Sequence, residues 1–167
     1  MTRALDIQLS KNFNFLEVVN GTDLPQRGRD MNITYLNNIS ENEFKRILRE
    51  NYLLAYYVQT ARDYFSRGHR IWIELICGGR TREWDISRGR SGEGGHPQWI
   101  AWDIVIRGVD DTTRNDMMRE LYYNLLKSWM GGLGLRINGN DITMIHIDTR
   151  LPREKDIQRG FGRRWTY

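Results

Sequence analysis

Apolar positions along this chain follow two different periods. After Ser40, the residues Phe44, Ile47, Leu48, Leu54, Val58, Ala61 and Phe65 recur at helical spacing and predict a long helix. Ser40 followed by Glu43 has the pattern of a capping box, in which two side chains satisfy free backbone N–H groups at a helix start. Gly68 is placed to end that helix. A second stripe, Met117, Met118, Leu121, Tyr122, Leu125, Leu126 and Trp129, predicts another helix, capped by Asp110 or Asp111 and ended by Gly131 and Gly132. Elsewhere the period drops to two or the chain turns β-prone. His69–Cys77 reads as a strand with Ile71, Ile73, Leu75 and Cys77 on one face, and Trp99–Ile106 and Ile142–Ile147 read as two more.

The rest of the chain lacks periodicity. Residues 1–38 read as an irregular arm, with turn signals at Asn20-Gly21, Pro25 and Gly28. Residues 78–95 form a long loop rich in Gly and Arg, and a loop of that length is a common carrier of function. Residues 151–167 are a polar, basic tail containing Arg163-Arg164-Trp165. With no repeat or linker, residues 1–167 are expected to form a single domain of α+β class.

Composition narrows the chemistry. The chain has 167 residues, enough for a core that needs no disulfide or metal to hold it. Its apolar runs are too short to span a bilayer, so no membrane insertion is expected. The opening MTRALDIQLSKN has no apolar signal core, so the protein is expected to stay where it is made until something else releases it. The single cysteine, Cys77, excludes an internal disulfide and a Cys-rich zinc site, and within IWIELIC it reads as a buried small hydrophobe rather than a nucleophile. Histidine chemistry is confined to His69, His96 and His146. A net charge of +4 suits a polyanionic partner such as nucleic acid, anionic lipid or wall polymer without choosing among them.

Two motifs carry candidate chemistry. GGHPQWIAWDI places His96 seven residues before Asp103. MIHIDTR sets His146, Asp148 and Arg150 at alternate positions, and so on one face, of a strand. Two histidines and a carboxylate are a common first shell for catalytic zinc, which leaves a position open for water and polarises a carbonyl. The same residues also fit a loop histidine and a sheet histidine with ordinary partners.

His-x-x-x-x-Ala-x-Asp-Ile followed by a strand reading His-x-Asp-x-Arg resembles the zinc D-Ala-D-Ala carboxypeptidase family of hedgehog/DD-peptidase fold, to which many phage endolysins belong. The resemblance covers most of the chain. LSKNFNFLEVVNGT is similar to the family's opening segment, VQTARDYFSRG to the end of its long helix, and CGGRT to the turn after its first strand. GLGLRING is similar to the Gly-rich approach to its last metal ligand. The spacing from Arg80 to His96 agrees, and Gly89 and Ser91 fall where the family's loop commonly has Gly and Ser.

The resemblance implies an antiparallel sheet with a long N-terminal helix and a second helix packed on it. It implies one zinc per chain held by His96, Asp103 and His146, with Arg80 binding the substrate carboxylate or the developing oxyanion. Three positions depart from the family pattern. Gly94 stands where Ser is usual, and Trp99 where Gly is usual, which is expected to set a large side chain close to the metal. Thr143 stands where many members carry the catalytic acid, leaving Asp148 as first candidate for that acid and Asp141 as second.

The function implied is a peptidase acting on peptidoglycan stem peptides, working as a phage lysis enzyme that passes from the host cytoplasm to the cell wall, with the basic tail assisting wall binding. The alternative is a virion structural or assembly protein that keeps the fold, with or without zinc, but not catalysis, and docks on other phage structural proteins. A third reading, a nucleic-acid-binding module, draws on the interleaved Arg and aromatic residues of RGRDMN, RTREWDISRGR and RGFGRRW. No recognised nucleic-acid motif frames those stretches, and nucleic acid is ranked last among the partners.

Overall fold

A computed structural model describes residues 2–151 and 162–166. Helices and a five-stranded sheet alternate irregularly, giving an α+β fold with an open, mixed sheet. The expected arm over residues 1–38 instead carries two helices, α1 (Phe15–Asn20) and α2 (Gln26–Asn38). At the start of α1, the Asn14 side chain accepts from the Leu16 N–H at 2.7 Å while Glu17 accepts from the Asn14 N–H. Helix α2 buries Gly28, Asn32 and Leu36, a face with one apolar side chain, so hydrophobic periodicity does not reveal it. Phe13, Phe15, Val18 and Val19 then anchor this whole region in the core.

The long helix, α3 (Glu41–Phe65), buries the expected stripe, with Leu48 only half-buried. Only one half of the capping box forms. Ser40 accepts from the Glu43 N–H at 3.2 Å, while the Glu43 carboxylate takes an ion pair with Arg46 at 2.7 Å. The helix stops at Phe65, with Ser66 as its cap, ahead of Gly68.

Strand β1 (Trp72–Cys77) is followed by a loop that is not structureless: Thr81 caps a short helix, α4 (Arg82–Ser87), by accepting from the Trp84 N–H. Strand β2 (Ala101–Arg107) leads to α5 (Asp111–Glu120), capped by Asp110 through the Thr113 N–H at 2.9 Å. The expected stripe continues past α5 into a wider π-type turn over Leu121–Leu125. The glycines expected to end the helix lie instead at the start of strand β3 (Gly132–Asn138), which pairs with β4 (Asp141–Asp148) across a tight turn at Gly139-Asn140. Strand β5 (Arg164–Thr166) closes the sheet, in the order β1-β2-β4-β3-β5. Most of the basic tail, residues 152–161, lies outside the described residues.

The sheet was expected to be antiparallel throughout. Four strands are, but β5 runs parallel to β3, which makes the sheet mixed. One face of the central strands, carrying Trp102, Ile104, Ile145 and Ile147, is part of the hydrophobic core with α3 and α5. The opposite face carries Asp103, His146 and Asp148, since neighbours on a strand point to opposite sides. A bulge between Leu75 and Cys77 breaks the expected alternation on β1: Leu75 lies opposite Ile104, whereas Cys77 lies opposite Asp103. Among the described residues no helix is long and apolar enough to cross a membrane.

Candidate metal centre

A row of paired residues crosses the sheet. Cys77 faces Asp103, Asp103 faces His146, His146 faces Gly134, and Gly134 faces Trp165. Strand pairing therefore assembles residues from five separate stretches of sequence. Gly134 is required there: a Cβ on it would come within 2.6 Å of the Trp165 ring. The Trp165 ring lies 5.2 Å from that of His146, with the Arg150 guanidinium on it at 5.4 Å.

His96 reaches this row from the turn before β2. The backbone carbonyl of His96 accepts from the N–H of Arg80 at 3.2 Å and of Trp99 at 3.0 Å, fixing the turn. Its Nδ1 lies 2.6 Å from the Gly78 carbonyl, a group that can only accept, so Nδ1 carries a proton. That leaves Nε2 directed at Asp103 Oδ1, 3.1 Å away. His146 approaches the same oxygen through Nδ1 at 2.7 Å, and the two imidazoles meet edge to face at 4.9 Å. Nε2 of His146 lies 3.1 Å from Asp148 Oδ2.

Such an arrangement needs positive charge. Burial alone raises a carboxyl and lowers an imidazole. Here burial of Asp103 is outweighed by His96 and His146, which hold its carboxyl far below the usual carboxylate range. Burial of His146 is likewise outweighed by Asp103 and Asp148, and its imidazole is pushed up. Nitrogen and oxygen atoms aimed at one point within about 3 Å are what a divalent cation gathers, and His96, Asp103 and Cys77 form a buried cluster able to hold one. The donor set fits a borderline-soft ion such as zinc.

Cys77 was read as a small hydrophobe; it is fully buried, but among the potential ligands. Burial pushes its thiol well up, against the opposing charge of Arg80, whose Nη1 donates to the sulfur at 3.2 Å. Arg80 is also ion-paired with buried Asp85 at 2.6 Å, so the loop arginine is held in contact with the cluster through Cys77.

Asp148 is completely enclosed. Its Oδ1 accepts from the N–H groups of Gly132 at 3.1 Å and Arg150 at 3.0 Å, and its Oδ2 from Arg150 Nε at 2.8 Å and Arg150 Nη2. Burial raises its carboxyl, but His146 and Arg150 prevail and hold it well below the usual carboxylate range. Gly132 makes room for it, since a Cβ there would sit 2.6 Å from both carboxylate oxygens. Asp141, by contrast, is exposed at the hairpin end of β4, roughly 17 Å along the strand from His146. Thr143 gives its hydroxyl to the Arg136 carbonyl.

Trp99 does not crowd the cluster. Its backbone is left-handed, with φ of 61°, a conformation that favours glycine. That twist sends the ring into the core, over Gly79 and stacked on Tyr35 at 5.8 Å. Asn51 of α3 holds the turn, donating to the carbonyls of Ile47 and Trp99 and accepting from Trp102 Nε1 at 2.7 Å. Asn32 of α2 does the same for the Arg80 turn, donating to the Gly79 carbonyl and accepting from the Thr81 N–H. Asn51, a lone polar residue on the inward face of a legible helix, carries a readable signal, whereas Asn32 lies on a helix that periodicity does not reveal.

Comparison of the chain with protein-family models, with curated proteins and with solved structures finds no match.

Proposed function

We propose that the chain is a zinc-dependent peptidase of bacterial peptidoglycan, of the D-Ala-D-Ala carboxypeptidase type with the hedgehog/DD-peptidase fold, its zinc held by His96, Asp103 and His146. The observation that carries this reading is the convergence of His96 Nε2 and His146 Nδ1 on one oxygen of Asp103, at 3.1 and 2.7 Å. When bound, zinc supplies a Lewis acid that polarises the scissile carbonyl and activates water. The protein's own residues do the rest. Gly78 fixes the proton of His96 on Nδ1, and Asp148 accepts from Nε2 of His146, so each imidazole presents its other nitrogen to the metal. Asp148 is thus a positioning residue, and it can take a proton from water only if Arg150 is drawn off it. A substrate carboxylate competing for Arg150 would do that. Arg80, beside Cys77, would bind the peptide's carboxylate or the developing oxyanion.

A second reading is favoured by Cys77 itself. Three protein ligands leave catalytic zinc an open position, whereas four close the shell of a structural ion. With Cys77 as fourth ligand the chain would be a phage structural or assembly protein that keeps the fold without catalysis. Metal analysis of the purified protein and assay of purified bacterial walls for released peptide ends separate the two. Zinc with chelator-sensitive release is expected; full zinc without release removes the peptidase reading.

A further inference from the structure

We propose that a furrow between α3 and residues 125–130 binds a neutral oligosaccharide chain, the glycan strand that carries the peptide; the inference rests on the peptidoglycan reading. Leu53, Tyr56 and Tyr64 lie on α3 and are between 43 and 65% exposed, apolar surface left in water. Two depressions lie along the helix. One, of about 540 Å³, is lined by Tyr56, Tyr57 and Tyr64 with Thr60, Asp63 and Arg67 along it. The other, of about 270 Å³, is lined by Leu53, Tyr57, Trp129, Met130 and Arg150.

The two share Tyr57, which stands between them. The Tyr57 ring packs edge-on against Tyr56 at 5.5 Å and Trp129 at 4.6 Å. Trp129 Nε1 in turn donates to the Asp148 carbonyl at 3.0 Å. The smaller depression is bounded by Arg150, whose guanidinium is ion-paired with the buried Asp148 carboxylate. The stretch of α3 from Leu53 to Phe65 that flanks both depressions is about 18 Å long, room for several sugar rings.

The lining identifies the class of occupant. Tyrosines offer an apolar ring face with a polar edge, which matches a pyranose with its C–H face and hydroxyl rim. They also cost little ordering entropy when a ligand stacks on them. Asp63 and Arg67 offset each other in the larger depression and Arg150 in the smaller is already paired with Asp148, so the furrow gives a polyanion little electrostatic gain. A polymer lying here would bring a peptide branch to Arg150.

The test is calorimetric titration of the purified protein with a soluble tetramer of β-1,4-linked N-acetylglucosamine. Saturable binding is expected, weakened about ten-fold or more, some 1.4 kcal/mol, in Tyr56→Ala and in Tyr64→Ala. Both rings are exposed, so melting temperatures should stay close to that of the unmodified protein. No heat with the tetramer, equal affinity in the variants, or binding of a proline-rich peptide in place of the sugar overturns the proposal. Release of peptide ends from walls, measured in parallel, keeps the two readings apart. Release without tetramer binding removes the furrow and leaves the peptidase; tetramer binding without release does the reverse.

Discussion

Asp103 and His146 lie directly opposite each other on the two neighbouring strands β2 and β4, with His146 Nδ1 2.7 Å from Asp103 Oδ1. Both are buried, and their cross-strand pairing fixes the distance between the two motifs. His96, seven residues before Asp103, is brought to the same oxygen by its turn.

From that convergence, His96→Ala or His146→Ala should abolish stoichiometric zinc, while His69→Ala, at an exposed position outside the cluster, should keep it. Elemental analysis of each purified variant is the measurement. Full zinc in the His146 variant would refute the ligand assignment. Cys77→Ala belongs in the same series: retained zinc keeps Cys77 out of the shell, and lost zinc puts it in.

Asp148→Asn separates positioning from base catalysis. An amide cannot hold His146 as the carboxylate does, so zinc affinity should fall about 10- to 100-fold. Competition with a chromogenic chelator reads this directly. Unchanged affinity with a lost rate would return Asp148 to the role of base. Asp141→Asn, at the hairpin end, should leave affinity unchanged.

Arg80→Ala should lower both stability and substrate use. Removing it leaves buried Asp85 with only the longer ion pair to Arg90 at 3.5 Å, a loss of up to about 3 kcal/mol. Arg88→Ala, on the exposed end of α4, should cost within about 0.5 kcal/mol. Denaturant midpoints and peptide-release rates of the two variants, compared side by side, decide it. Equal effects would remove Arg80 from the substrate site.

Trp99→Gly pits backbone strain against burial. Glycine relieves about 1–2 kcal/mol at a left-handed position. Losing the buried ring costs about 3–5 kcal/mol, so the variant should be less stable by about 2 kcal/mol. A midpoint shifted downward at constant m is the expected result. A more stable variant would mean that strain exceeds packing here.

The helix α3, the strands β1, β2 and β4, and the two motifs bearing His96, Asp103 and His146 are legible in the chain, because hydrophobic periodicity and alternation are local properties. The same locality explains what stayed hidden. Strand β3 is disguised by Gly132 and Gly134, whose absent side chains matter only to Asp148 and Trp165 across the sheet. The buried face of α2 is built on Asn32, which is polar because its partners are backbone groups of distant turns. Cys77 joins the polar face through a bulge whose register depends on β2. The residue types of the candidate centre are thus a matter of sequence. Which atom faces which oxygen was decided by strand register, which arises only when the sheet assembles.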